Sequence, residues 1–184
     1  MRLFLFITLI GLLGSCADLQ KKEQLAKINI MNQGVDSLEK ELKAHTIDTL
    51  TELKLSTSTV ELRIKNNLML EKVDIELGRK MDAYKRMRKS LKPLGEALKK
   101  VKNGIQEERE ALKNLYSDIE NGYGERDKYE EYLTFESVKI TKIAVLLNDF
   151  KEQKEVIFKT YSELHEELHT FSMSLLEKKN ISTK

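Results

Sequence analysis

The chain has 184 residues, with 32 Lys and Arg against 30 Asp and Glu, eight Gly, one Pro, one Cys and no Trp. So few turn residues exclude a β-sandwich or barrel, and a single Cys excludes both an internal disulfide framework and a Cys-built structural zinc site. A formal charge of +2 leaves no global nucleic-acid footprint, and the Leu/Lys/Glu-rich remainder predicts an all-α fold of long helices.

At the N-terminus, Met1-Arg2 is a short basic start, and Leu3 to Leu13 is an almost unbroken apolar run. Such a run suits the core of a signal peptide and falls short of the ~20 residues that a helix needs to span a bilayer. It ends in Leu13-Gly14-Ser15-Cys16, small residues followed by a thiol. This segment resembles the lipobox of bacterial lipoproteins. The resemblance implies that residues 1–15 are a cleaved signal peptide and 16–184 a single mature domain. It also implies that Cys16 carries a thioether-linked diacylglyceryl group and usually an acylated amino group. Two or three acyl chains anchor a protein stably. Ala17 after the lipid-bearing residue, rather than Asp, favours by the same resemblance the outer membrane of a Gram-negative bacterium. The remaining chain has 31 basic and 30 acidic side chains, so any electrostatic function must come from local segregation of charge.

From Asp18 onward the dominant signal is a heptad. Ile28, Met31, Val35, Leu38 and Leu42 form a first stripe, whose phase shifts toward Ile47, Leu50 and Leu53. Residues 45–60 are rich in Thr and Ser, and Ser58 with Glu61 fits a capping box. The first helix is therefore expected over about 19–54 and the second from 59. A second stripe, from Leu70 through Leu94 to Ile119, is apolar at thirteen of fifteen positions, Lys80 and Glu108 being the exceptions. Its phase survives Pro93, which predicts one helix over 59–120 with a kink there rather than two helices. Asn121-Gly122-Tyr123-Gly124 marks a tight turn, with a hairpin tip over 121–125 where Tyr123 reads either as a partner contact or as a side chain filling the turn. The third stripe runs from Tyr129 to Leu175 and is interrupted only by Glu136 and Lys154, giving a helix over 126–178. Ala144, Leu146 and Phe158 widen it, so this helix is expected to touch more than one neighbour. Lengths then suggest an elongated antiparallel bundle or coiled-coil hairpin of about three helices, with the first lying along 59–93 and a two-helix arm ending at Tyr123.

His165-Glu166-Glu167-Leu168-His169 matches H-E-x-x-H, which on a helix places two imidazoles on one face beside a carboxylate. The motif resembles the zincin metalloprotease signature, which would imply zinc-dependent peptide hydrolysis at His165 and His169. The extended metzincin form fails, because Ser172 stands where Gly is needed and Leu175 where a third His is needed. With Leu164 and Leu168 in the seam, His165 flanks it and His169 faces solvent, so the pair reads first as a solvated helix face. Glu166 and His169 also spell Glu-x-x-His, but a di-iron bundle needs two such motifs, and one is present.

Charge is segregated along the chain. Residues 79–102 hold ten basic side chains against Asp82 and Glu96, whereas 118–136 hold seven acids against Arg126 and Lys128. Ion pairing across the bundle is one account of this. The other sets Arg79, Lys85, Arg86, Arg88, Lys89, Lys92, Lys99 and Lys100 against an anionic surface, each surface-adjacent cation adding ~1 kcal/mol at lipid headgroups. In the bundle above, Pro93 would lie level with the start of the first helix and hence near the anchor. The expected function is that of a non-enzymatic, membrane-anchored interaction or spacer module of the cell envelope. Its expected partners are membrane lipid through Cys16, an envelope protein and possible further copies of itself. No cofactor and no nucleic acid are expected.

Overall fold

The apolar stripes become helices almost end to end. The computed structural model describes residues 2–45, 47–69 and 74–182, with side chains described between Leu19 and Lys178. It is 93% helical, and the described residues contain no strand. Its helices are α1 (Arg2–Ala44), α2 (Leu50–Asn67), α3 (Ile75–Asn121) and α4 (Tyr129–Ser182), with a 3-10 turn at Arg126–Lys128 before α4. The lipobox Leu13–Cys16 and the seam residues Leu70 and Val73 fall outside the described side chains.

The chain divides into two compact units, one of Met1–Ala44 with Lys100–Leu147 and the other of His45–Lys99 with Asn148–Lys184. In the first unit, Ile28, Val35 and Leu42 of α1 are buried seven residues apart, with Leu112 of α3 and Leu133 and Leu147 of α4. The α3 and α4 segments run antiparallel. Tyr129 donates from its hydroxyl to the Asp118 carbonyl at 2.9 Å, Lys139 reaches Glu108 at 3.1 Å, and a Cβ on Gly104 would sit 3.2 Å from Ile143. The α1 helix runs parallel to α4, with Lys27 2.6 Å from Glu130. It lies antiparallel to α3, with Arg109 bridging Asp36 at 2.8 Å and Glu39 at 2.6 Å. The α3–α4 connection closes by a Schellman arrangement: Gly122 adopts φ 68°, and the Tyr123 amide donates to the Asp118 carbonyl at 2.9 Å. The Tyr129 hydroxyl also meets the Tyr123 carbonyl at 2.5 Å, which fixes the turn from inside.

In the second unit, α2 lies antiparallel to the 75–99 part of α3. Arg88 holds Glu61 at 2.6 Å, and a Cβ on Gly95 would stand 3.6 Å from Leu50. The rest of α4 runs antiparallel to α3, through Lys80–Glu167 at 2.7 Å and Tyr84–His165 at 2.5 Å. Val60, Ile64, Tyr84, Leu94, Phe150 and Leu168 fill the centre.

Three expectations from the sequence are corrected. The first helix ends at Ala44 and the next starts at Leu50, so 55–58 is helical where a break was expected, because the Thr57 and Thr59 hydroxyls turn back onto their own helix. Thr57 donates to the Leu53 carbonyl at 2.7 Å and Thr59 to that of Leu55 at 2.8 Å, so this run stays helical and Ser58 caps nothing. The stretch expected as one helix over 59–120 is two, α2 and α3, and Asp74 starts α3 by accepting the Leu77 amide at 2.9 Å. Finally, α1 packs against 100–121 instead of 59–93, so the hairpin segments ending at Tyr123 have a third helical neighbour in their unit. Within that unit the Gln24–Lys27 stretch of α1 lies beside Glu130. Pro93 lies inside α3.

Candidate functional site

The motif residue His165 lies half-buried in the second unit, clasped by three helices. Its Nδ1 lies 2.5 Å from the Tyr84 hydroxyl of α3, and its Nε2 lies 3.3 Å from the Ser56 hydroxyl of α2. The Tyr161 ring stacks on the imidazole with centroids 4.3 Å apart, one helical turn earlier on α4. Tyr84 is fully buried, and burial first, then Tyr161 and Glu61, pushes its phenol far above the usual range, so it stays protonated. The arrangement that leaves no buried donor unmatched has Tyr84 donating to Nδ1 and the Nε2–H donating to Ser56. Burial, followed by the neighbouring His169, lowers the His165 pKa, which keeps the ring neutral.

That geometry bears directly on metal chemistry. A zinc ligand offers a nitrogen lone pair, and here one ring nitrogen accepts from Tyr84 while the other carries its hydrogen to Ser56. The His169 ring stands 5.8 Å away, exposed and tilted by 40°. Among the described residues, no group of three or more His, Cys, Asp or Glu side chains gathers as a metal site would require. His169 is exposed, whereas His165, which flanks the seam, is half-buried on the side that α2 covers. Ser56 and Tyr84 carried no sequence signal beyond seam and near-seam placement.

The basic segment is also divided. Arg88 is turned inward onto Glu61, with both side chains mostly covered, and Lys80 is shared between Glu76 and Glu167. Arg79, Lys85, Arg86, Lys89, Lys92 and Lys99 are exposed in the second unit, and Lys100 in the first. Lys85, Arg86, Lys89 and Lys92 follow one another at helical spacing along the outer face of α3, and among the described residues only Lys92 of the four has an ion pair, a loose one with Glu96 at 3.8 Å. Tyr123 is exposed at the turn. A shallow groove of about 630 Å³ lies in the second unit, its lining including Leu77, Phe171 and Leu175 together with Lys80 and Glu167. Its walls include Met69 and Asp74, which flank the undescribed residues 70–73.

No helix among the described residues is long and apolar enough to cross a membrane. No protein-family model, curated protein or solved structure matches the chain.

Proposed function

We propose that the chain is a bacterial lipoprotein, anchored through acylated Cys16 at the outer membrane of a Gram-negative cell. Its helices act as a non-enzymatic interaction or spacer module of the envelope. One observation carries this reading: a basic start, an apolar run too short to span a bilayer, and Leu13-Gly14-Ser15-Cys16 stand in that order, with no other Cys in the chain. An all-α body whose seams are consumed by packing suits a spacer. The exposed row Lys85, Arg86, Lys89 and Lys92 offers a partner-facing surface for an anionic envelope component. Intact-mass measurement of the protein extracted from membranes tests the anchor. The expected species begins at Cys16 and carries acyl chains, and Cys16→Ser yields an unlipidated, soluble protein. A wild type that is itself soluble and unmodified would defeat the reading.

The second reading is a metal-binding or zinc-dependent hydrolase using His165 and His169, favoured by their shared helix face and 5.8 Å ring separation. Binding would require His165 to leave Tyr84 or Ser56. Zinc content of the purified protein with and without His165→Ala discriminates: stoichiometric zinc lost on substitution, together with peptidase activity, would replace the first reading.

A further inference from the structure

The outward face of α4 in the first unit carries an apolar run left exposed among the described residues. Phe135 is 61% exposed, Val138 47% and Val145 56%, on a helix whose opposite face supplies core residues. With 3.6 residues per turn, Glu131, Phe135, Val138, Lys142 and Val145 fall within an arc of about 80°, so they form a single narrow seam. The residues beside it are uncharged (Tyr132, Thr134, Thr141 and Leu146), apart from Glu130, which is paired with Lys27 at 2.6 Å, and Lys139, whose ammonium turns inward to Glu136 at 2.6 Å and Glu108 at 3.1 Å. The same ammonium lies over the Phe135 ring, 5.5 Å from its centroid, and Phe135 stays mostly exposed. An apolar pair, Phe135 and Val138, bounded by one acid and one base, with Val145 a turn beyond, is the composition of an interface rather than of a solvated helix face.

The order of charges says what covers it. From 131 to 142 the seam reads acid, apolar, apolar, base, with both charges exposed. Reversed, it reads base, apolar, apolar, acid. An antiparallel two-fold pairing of two identical seams therefore sets Glu131 against Lys142 at both ends and Phe135 against Val138 twice at the centre. A parallel pairing would set Glu131 on Glu131 and Lys142 on Lys142, so the same charges that favour one register oppose the other. We propose that this face is a self-association site, and that its occupant is the same seam of a second copy of the chain. The inference does not depend on the anchor. A contact of three to four helical turns belongs to the small, weak class of interface, for which a dissociation constant on the order of 100 μM is expected.

Sedimentation equilibrium of the full chain carrying Cys16→Ser, at protein concentrations up to about 0.5 mM, tests it. The expected result is a monomer–dimer equilibrium. Each single reversal, Glu131→Lys or Lys142→Glu, places two like-charge pairs at the seam and weakens the dimer by about tenfold. The double reversal restores it, and Phe135→Asp abolishes it. All three positions are solvent-facing, so circular dichroism should show unchanged helix content. Should Phe135→Asp lose its fold, the charge cycle decides alone. As a check of direction, a mixture of Glu131→Cys and Lys142→Cys chains, in the same Cys16→Ser background, should form the mixed disulfide. Homodisulfides would need positions ~16 Å apart along the axis to meet. A chain monomeric throughout this range, a double reversal no tighter than the singles, or homodisulfides forming as readily as the mixed one would overturn the proposal.

Discussion

Lys80, Glu108, Glu136 and Lys154 occupy seam positions that a heptad reserves for apolar side chains, and each meets a polar partner. Lys80 bridges Glu76 and Glu167, and Lys154 donates to the His45 carbonyl at 2.9 Å, beside the α1–α2 break. The two acidic interruptions, one on α3 and one on α4, converge on Lys139. Polar groups of this kind specify register at a cost in stability, and Glu108 shows the cost. It has no solvent exposure, and neither carboxylate oxygen accepts a hydrogen bond of good direction, although Lys139 stands 3.1 Å away. Burial raises its pKa despite that ammonium. A raised folded pKa means that the protonated acid favours the folded state. The stability linked to it is fully present below the ordinary value of 4.5 and is lost as the pH climbs through the raised one. Glu108→Leu should therefore stabilise the protein by about 1–4 kcal/mol at pH 7, Lys139 keeping Glu136 as its partner. The gain should shrink as the pH falls toward 4.5. Urea midpoints of the two proteins across that range check both the sign and the trend.

At the scale of elements, period and turn chemistry were legible and hydroxyl chemistry was not. The stripes led to helices, and two glycines beside Asn121 led to the α3–α4 turn, because both signals follow from backbone geometry alone. The phase shift after Leu42 was the true mark of the first break. It was outweighed by the Thr/Ser run, whose hydroxyls can serve either as caps or as back-bonds within a helix, and a sequence does not say which. Asp74 was missed as a cap because Leu70 and Val73 keep the heptad in phase on both sides of it. The clasp on His165 was out of reach for another reason. It needs three helices in register, whereas the motif lies on one. Pro93 shows propensity overridden: α3 continues through it, although it withdraws the amide that would bond the Lys89 carbonyl. One turn earlier, the Ser90 hydroxyl takes the Arg86 carbonyl at 3.1 Å, a second local pull on the helix backbone. Both Lys89 and Pro93 are exposed, so water covers the freed carbonyl and the cost is moderate. Pro93→Ala is expected to add about 1–3 kcal/mol, read as a rise of about 2–4 °C in Tm for each kcal/mol. A fall in Tm would mean instead that the packing around Leu91 and Leu94 depends on Pro93.

For the molecule as a whole, charge and titratable groups are distributed unequally between the two units, and acid should therefore act on them unequally. All three histidines, His45, His165 and His169, lie in the unit of His45–Lys99 with Asn148–Lys184. Among them His165 is held neutral inside its unit. The side chains in contact with its ring are Tyr84 from α3, Ser56 from α2, and Tyr161 and His169 from its own helix, none of them an anion that would favour a charged imidazole. Its folded pKa is lowered from 6.5, first by burial and then by His169, while the unfolded chain keeps the ordinary value. The unfolded state therefore takes up a proton first on acidification. The stability linked to this ring is complete above 6.5 and is lost as the pH falls from there through the folded value. Glu39 and Glu130 of the other unit, whose pKa values Lys43 and Lys27 respectively hold below 4.5, lose their contributions only at lower pH. Amide hydrogen exchange at pH 7 and pH 5.5, corrected for intrinsic rates, should accordingly show protection falling by about threefold to tenfold around Val60, Tyr84 and Leu168, and holding around Leu112 and Leu133. His165→Asn keeps an acceptor where Nδ1 meets Tyr84 but cannot titrate. It should lower protection in the second unit at pH 7 and remove the further loss at pH 5.5. Equal acid sensitivity in both units, or a variant that keeps the full pH dependence, would show that the clasped imidazole is not the group responsible.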